Sequence, residues 1–222
     1  MPRRSYDHYC PIARALDSLG ERWTLLIIRE LLAGPRRYSE LLADLPGVST
    51  DVLATRLREM ERDGLVHRRK AARTAGHVYE LTVDGQRLLP VLEALADWGG
   101  SRLAERRSTD ALRGHWFAVP LLRLLRPLLG AGAGTVEVRL DEDAFHIRYP
   151  AEAASDGAGL LDPVPVTRPV FAWGEAEQPD VVVHTDTRTA ADLAAGRLDL
   201  AEAVEAGRLT HSTNRPAPTL RV

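Results

Sequence analysis

Hydroxyl-bearing and basic side chains gather in one stretch of this chain, in a grouping that suits recognition chemistry better than bond breaking. Ser49, Thr50, Asp51, Thr55, Arg56 and Arg58 fall within ten residues, and Arg68, Arg69, Lys70 and Arg73 follow within six that contain no acid. Arg37 lies just upstream. Arginine presents a planar fork of N–H donors that fits a phosphate or the major-groove edge of guanine. Threonine meets base edges through its hydroxyl or its methyl. The same residues on an ordinary solvated helix would do nothing specific, so their meaning depends on the elements that carry them.

Other chemistries find no comparable grouping. The seven histidines, His8, His67, His77, His115, His146, His184 and His211, show no i, i+4 pair and no acid at a zinc-site spacing. There is no Gly-x-Ser-x-Gly elbow and no Walker loop. No catalytic residue, metal or cofactor is therefore expected, and the chain reads as a non-enzyme. Gly130-Ala131-Gly132-Ala133-Gly134 looks like a dinucleotide loop, but it stands between a helical and a strand pattern, the reverse of what phosphate binding at a helix N-terminus requires. Cys10 is the only cysteine, which excludes an intrachain disulfide and leaves one thiol as a redox candidate.

Composition supports a soluble, two-module chain. Apolar residues make up 45% and charged ones 27% of 222 residues, as in globular domains. The strongest apolar stretch, residues 25–32, is broken by Arg29 and Glu30 and is far below the ~18 residues of a membrane helix. Residues 1–8 are polar and lack the apolar core of a secretory signal, so a cytoplasmic location is expected. Residues 1–107 carry a net charge of +3 and residues 108–222 one of −5. These are the two expected domains, with different partners.

The recognition residues need a scaffold, and the front half supplies one. Trp23, Leu26, Ile27, Glu30 and Leu31 follow helical spacing up to Gly34-Pro35. Residues 38–42 form a short second helix ended by Pro46-Gly47. Ser49 caps a third helix that runs to about Asp63, with Gly64 as its stop. Two helices across a Pro-Gly turn make a helix-turn-helix. On the third helix Leu53, Leu57 and Met60 face the core, while Asp51, Thr55, Arg58 and Arg62 face away. Residues 65–70 and 77–82 then alternate as two strands around a small-residue loop. A hairpin with a basic tip directly after a recognition helix is a wing, placed to reach phosphate or minor groove.

Residues 9–107 resemble the HxlR-type winged helix-turn-helix regulators, relatives of the MarR group. The matching words are Cys10-Pro11-Ile12, Leu19-Gly20-Glu21-Arg22-Trp23, Ile28-Arg29-Glu30-Leu31 and the segment from Val48-Ser49 to Arg58. Asp63-Gly64-Leu65-Val66 with Arg68, Tyr79-Glu80-Leu81-Thr82, Gly85 and Trp98-Gly99 complete them. The family often carries proline near the wing tip, where this chain has Thr74-Ala75-Gly76. The resemblance implies a homodimer on double-stranded operator DNA, acting as a transcriptional regulator and more often a repressor. Some members sense oxidants or electrophiles through a cysteine at the position of Cys10, and Arg14, one turn on, would favour its thiolate. Leu88, Leu92 and Leu95, widened by Val91, Trp98 and Leu103, form a broad apolar face after Thr82. With the helix near residues 12–19 it is the expected dimer seam, and Pro90 should kink or delay this helix.

The back half reads as α+β. Residues 111–129 are helical, interrupted by Pro120. Residues 135–140 and 144–149 form a hairpin around Asp141-Glu142-Asp143, read as a solvated turn. Strands at 164–173 and 181–184 precede helices at 189–195 and 198–206. The segments 179–185, 192–198 and 205–209 resemble the end of a sterol-carrier-protein-like domain, a sheet and helices around an apolar tunnel. That resemblance implies a ligand-binding domain for a small hydrophobic or aromatic effector, with Trp116, Phe117, Phe171 and Trp173 as candidate walls. The fold class expected for the whole is α+β, a winged helix-turn-helix domain (1–107) followed by this sterol-carrier-protein-like domain (108–222).

Overall fold

Turn residues set the helix boundaries in the first part of the chain. α1 (Pro11–Leu19) opens on a proline, whose missing N–H has no helical partner to lose there. α2 (Thr24–Leu31) stops short of Gly34, which takes φ 117 ahead of Pro35. α3 (Tyr38–Asp44) ends before Pro46-Gly47. α4 (Thr50–Arg62) starts at Ser49, whose hydroxyl accepts from the Val52 N–H at 3.3 Å. β1 (Val66–Lys70) pairs antiparallel with β2 (His77–Leu81), and Arg36 adds a one-residue third strand by exchanging both backbone hydrogen bonds with Tyr79. The computed structural model describes residues 5–71, 75–103, 106–130, 132–151 and 170–214. Arg73 and Thr74 of the wing, Ala131 of the glycine run and residues 164–169 of an expected strand lie outside the described residues.

The core of this part is the one the periodicity predicts. Ile27, Ile28 and Leu31 of α2, Leu41 of α3, and Leu53, Leu57 and Met60 of α4 are all fully buried. Each such side chain contributes about 1.5–3 kcal/mol relative to exposure. After β2, Thr82 accepts from the Gly85 N–H and donates to the Gly64 carbonyl, capping α5 (Val83–Gln86). α6 (Leu89–Gly100) then begins anew. Pro90 is its second residue, so proline delays the helix and does not kink it. Two compact units part between Leu92 and Glu93, inside α6.

In the second unit the expected single helix over 111–129 is three pieces. A 3₁₀ turn (Gly114–Phe117) leads into α7 (Ala118–Leu125), and a second 3₁₀ turn (Arg126–Leu129) follows. Pro120 does not interrupt α7, because in a first turn the N–H it lacks has no intrahelical acceptor. The α-helix ends where Pro127 lacks the N–H that would reach the Arg123 carbonyl.

A five-stranded sheet follows, in the order β5-β4-β3-β6-β7. β3 (Gly134–Leu140) and β4 (Asp143–Tyr149) are the expected hairpin, with Val136 opposite Ile147. β5 is Val170–Trp173 and β6 is Val181–Thr185, the latter parallel to β3. α8 (Thr187–Ala194) and α9 (Leu200–Glu205) lead to β7 (Leu209–Thr213), a strand the sequence does not announce because only Leu209 of its five residues is buried. One sheet face carries Val136, Val138, Leu140, Phe145, Ile147, Phe171, Val181 and Val183, all buried, with α7 packed on β4 and on α8.

The acids of this unit hold its connections. Glu137, fully buried on the opposite sheet face, accepts from the Ala176 N–H and from Arg139, both at 2.7 Å. It thereby anchors the segment that joins β5 to β6. The Asp141–Asp143 turn is likewise not merely solvated. Asp141, at φ 50, accepts from the Thr187 N–H and hydroxyl, and Asp143 accepts from the Gly114 N–H at 2.7 Å.

Candidate nucleic-acid interface

The first turn of α4 is fixed from two sides. Ser49 caps it, and the Tyr38 hydroxyl donates to the Thr50 carbonyl at 2.7 Å, joining α3 to the start of α4. Thr50, Asp51 and Val52 stand exposed on this held turn, and Arg58 and Arg62 are exposed further along. Arg58 lies along its own helix, donating to the Ala54 carbonyl at 3.2 Å and to the Thr55 hydroxyl at 3.0 Å. Thr55 is half-buried. Arg56 differs from the expectation. Its guanidinium is held by Glu59 at 2.7 Å and lies 3.7 Å from Glu21, with 16% of the side chain exposed, so it braces α4 and leaves the contact set.

The wing divides its cations in the same way. Arg68 and Lys70 are exposed on one strand face, with Arg68 at 3.2 Å from the His77 ring. Arg69, on the other face, is bound by Glu80 at 2.5 Å across the hairpin. Arg37 donates to the Ala75 carbonyl at 3.2 Å, next to Gly76 with its φ of 108, and so braces the returning arm of the wing. Arg58, Arg68 and Lys70 face outward; Arg37, Arg56 and Arg69 have internal duties.

Two residues escaped sequence reasoning. Val52 is 43% exposed, although its neighbour Leu53 is fully buried; the 100° step between them is the signal that separates the two. An apolar side chain there suits a thymine methyl. The bond from Tyr38 to Thr50 spans twelve residues and has no sequence signature.

α1 and α6 each present apolar side chains to solvent. Ile12 and Leu16 on α1, and Val91, Leu95 and Trp98 on α6, are exposed, Ile12 by 71% and Trp98 by 62%. Cys10 is the N-cap residue of α1, with a free, half-buried thiol, and Arg14 lies 3.6 Å from Asp17.

In the second unit His115 stands between two of the candidate wall residues, with ring centroids 6.2 Å from Trp116 and 4.5 Å from Trp173. Phe171 lies two residues before Trp173 on the same strand and is buried, as is Phe117. The Trp173 indole N–H is itself buried and meets no acceptor among the described residues.

Among the described residues no helix is long and apolar enough to cross a membrane. Residues 18–107 match the HxlR-like helix-turn-helix family. An uncharacterised HTH-type transcriptional regulator of Synechocystis sp. is 41% identical over 96 residues, covering 41% of this chain and 71% of the relative. YvaP of Bacillus subtilis, another uncharacterised HTH-type transcriptional regulator, is 41% identical over 91 residues, covering 40% of this chain and 84% of its own. Among solved structures, the quinone-bound YodB of B. subtilis is 35% identical, covers 40% of this chain and 97% of that one, and superposes with a TM-score of 0.36. A MarR-family regulator from Enterococcus faecalis is 39% identical, covering 41% and 84%, with a TM-score of 0.37. With a capped recognition helix, a wing and relatives matched over most of their length, this chain belongs to the HxlR-like family of helix-turn-helix transcriptional regulators.

Proposed function

We propose that the protein is a dimeric, sequence-specific repressor whose second unit takes a small hydrophobic or aromatic effector. The observation that carries the DNA reading is the held first turn of α4, exposing Thr50, Asp51 and Val52, in the same unit as a wing whose Arg68 and Lys70 face outward. The turn enters the major groove, where Thr50 and Val52 meet base edges, and the wing cations take phosphates. The apolar faces of α1 and α6 form the seam of a two-fold dimer, so the operator is an inverted repeat with half-sites about one helical turn apart. Binding-site selection with the purified protein tests this. An enriched inverted repeat is the expected result, and recovery of unrelated sequences at low salt would refute it.

The effector reading rests on Trp173. A buried N–H without an acceptor costs about 1–3 kcal/mol, a cost that a ligand oxygen would remove. Trp116, Phe117 and Phe171 supply apolar and aromatic surface in the same unit, in keeping with the sterol-carrier-protein-like tunnel. In a thermal-shift screen of aromatic carboxylates and ketones, binders should stabilise wild type more than Trp173→Phe. Equal shifts in the two proteins would remove Trp173 from the site.

A further inference from the structure

The helix α6 serves both units. Leu89 and Leu92 in its first turn are buried, and from Glu93 onward it belongs to the second unit. Two features hold that latter part. Arg123 of α7 reaches Glu93 at 3.0 Å and Asp97, one turn on, at 3.3 Å. At the end of the helix Gly100 is so close to the last turn of α8 that an added Cβ would stand 2.2 Å from the Ala194 carbonyl oxygen. Beyond α8, Arg197 donates to the Leu103 carbonyl at 2.7 Å, tying down the chain that leaves α6. The helix therefore has a held side, through Glu93, Ala96 and Gly100, and an exposed apolar side, Val91, Leu95 and Trp98, spaced i, i+4 and i+7.

We infer that the second unit controls DNA binding through α6: α7 and α8 set the position of the helix whose other side is the dimer seam. A shift of α7 or α8 moves the seam side chains, because a helix in a packed interior moves as a body. In a two-fold dimer, a change at the seam changes the spacing of the two recognition helices. Coupling then requires only that an effector bind one placement of α7 and α8 better than another. This inference rests on reading α6 as part of the seam, and the experiment separates the two claims.

Full-length variants are compared by sedimentation for dimer dissociation and by titration with a duplex carrying the selected operator. Leu95→Asp tests the seam itself and should dissociate the dimer. Arg123→Glu sets three carboxylates against one another and should weaken operator binding by about five-fold or more, the lower range of ordinary inter-site coupling. The charge swap Arg123→Glu with Glu93→Arg and Asp97→Arg should restore it. Gly100→Ala should also weaken binding, although alanine is the better helix former, because the clash is with backbone. If Leu95→Asp dissociates the dimer while Arg123→Glu and Gly100→Ala both bind operator as wild type does, the control by α6 is overturned and the seam stands. Loss in Arg123→Glu that the swap does not recover also overturns it, as general destabilisation. A dimer that survives Leu95→Asp overturns the seam and the inference with it.

Discussion

In the first unit Arg68 and Lys70 extend from the wing with no carboxylate bound to them among the described residues, whereas in the second unit Glu137, Asp141, Asp143, Asp180 and Asp192 are each turned onto an amide or a guanidinium of their own unit. The first unit is small, with short turns that satisfy their own backbone, and it has cations to spare. The second joins its strands by longer connections, and carboxylates accept the backbone N–H groups that those connections leave over. The net charges of +3 and −5 therefore describe different things. Cations on the wing are available to a partner, while much of the acidity of the second unit is structural.

Removing a structural acid should cost the most. Glu137→Ala strands the Ala176 N–H and the Arg139 guanidinium and is expected to destabilise the protein by about 2–3 kcal/mol. Urea unfolding followed by tryptophan fluorescence measures this. A loss well under 1 kcal/mol would place Glu137 among ordinary surface acids.

Asp192 gives a smaller, pH-dependent effect. Hydrogen bonds from Arg208 and then Arg197 hold its carboxyl below the usual carboxylate range. A depressed folded value adds stability that is complete above the ordinary carboxylate pKa of about 3.9 and is lost as pH falls through the folded value. Asp192→Asn should therefore cost about 1 kcal/mol at neutral pH, and the difference from wild type should vanish in stronger acid. A difference that persists unchanged to pH 3 would contradict this.

The smallest stability effect belongs to the wing. Arg69 and Glu80 form a partly exposed pair, so Glu80→Gln should change stability by about 0.5 kcal/mol or less. Freed from Glu80, Arg69 becomes a further outward cation and should steepen the salt dependence of DNA binding. An unchanged salt dependence would mean that Arg69 stays bound to the hairpin.

The helix-turn-helix and the wing could be read in the sequence because short elements there carry their own signals: Gly34-Pro35, Pro46-Gly47, the Ser49 cap and the arc of Leu53, Leu57 and Met60. The division of labour among the arginines could not, since it depends on what each guanidinium meets in space. Arg56 is a partial exception, because Glu59 at i+3 is visible in the chain. In the second unit β3 and β4 announced themselves by alternation. β7 did not, because an exposed edge strand has little apolar pattern to show. The sharing of α6 between units was hidden for a similar reason: Gly100 reads as a helix stop, yet what it provides is room for the Ala194 carbonyl.

The central claim is that the first unit reads duplex DNA with α4 and holds it with the wing. Its most direct test is the salt dependence of operator affinity for wild type, Arg68→Ala, Lys70→Ala and Arg56→Ala. Wild type should show a linear fall of log K with log salt, Arg68→Ala and Lys70→Ala should each reduce that slope by about 1, and Arg56→Ala should leave it unchanged. Equal slopes for all four proteins, or no retention of duplex at low salt, would contradict the account.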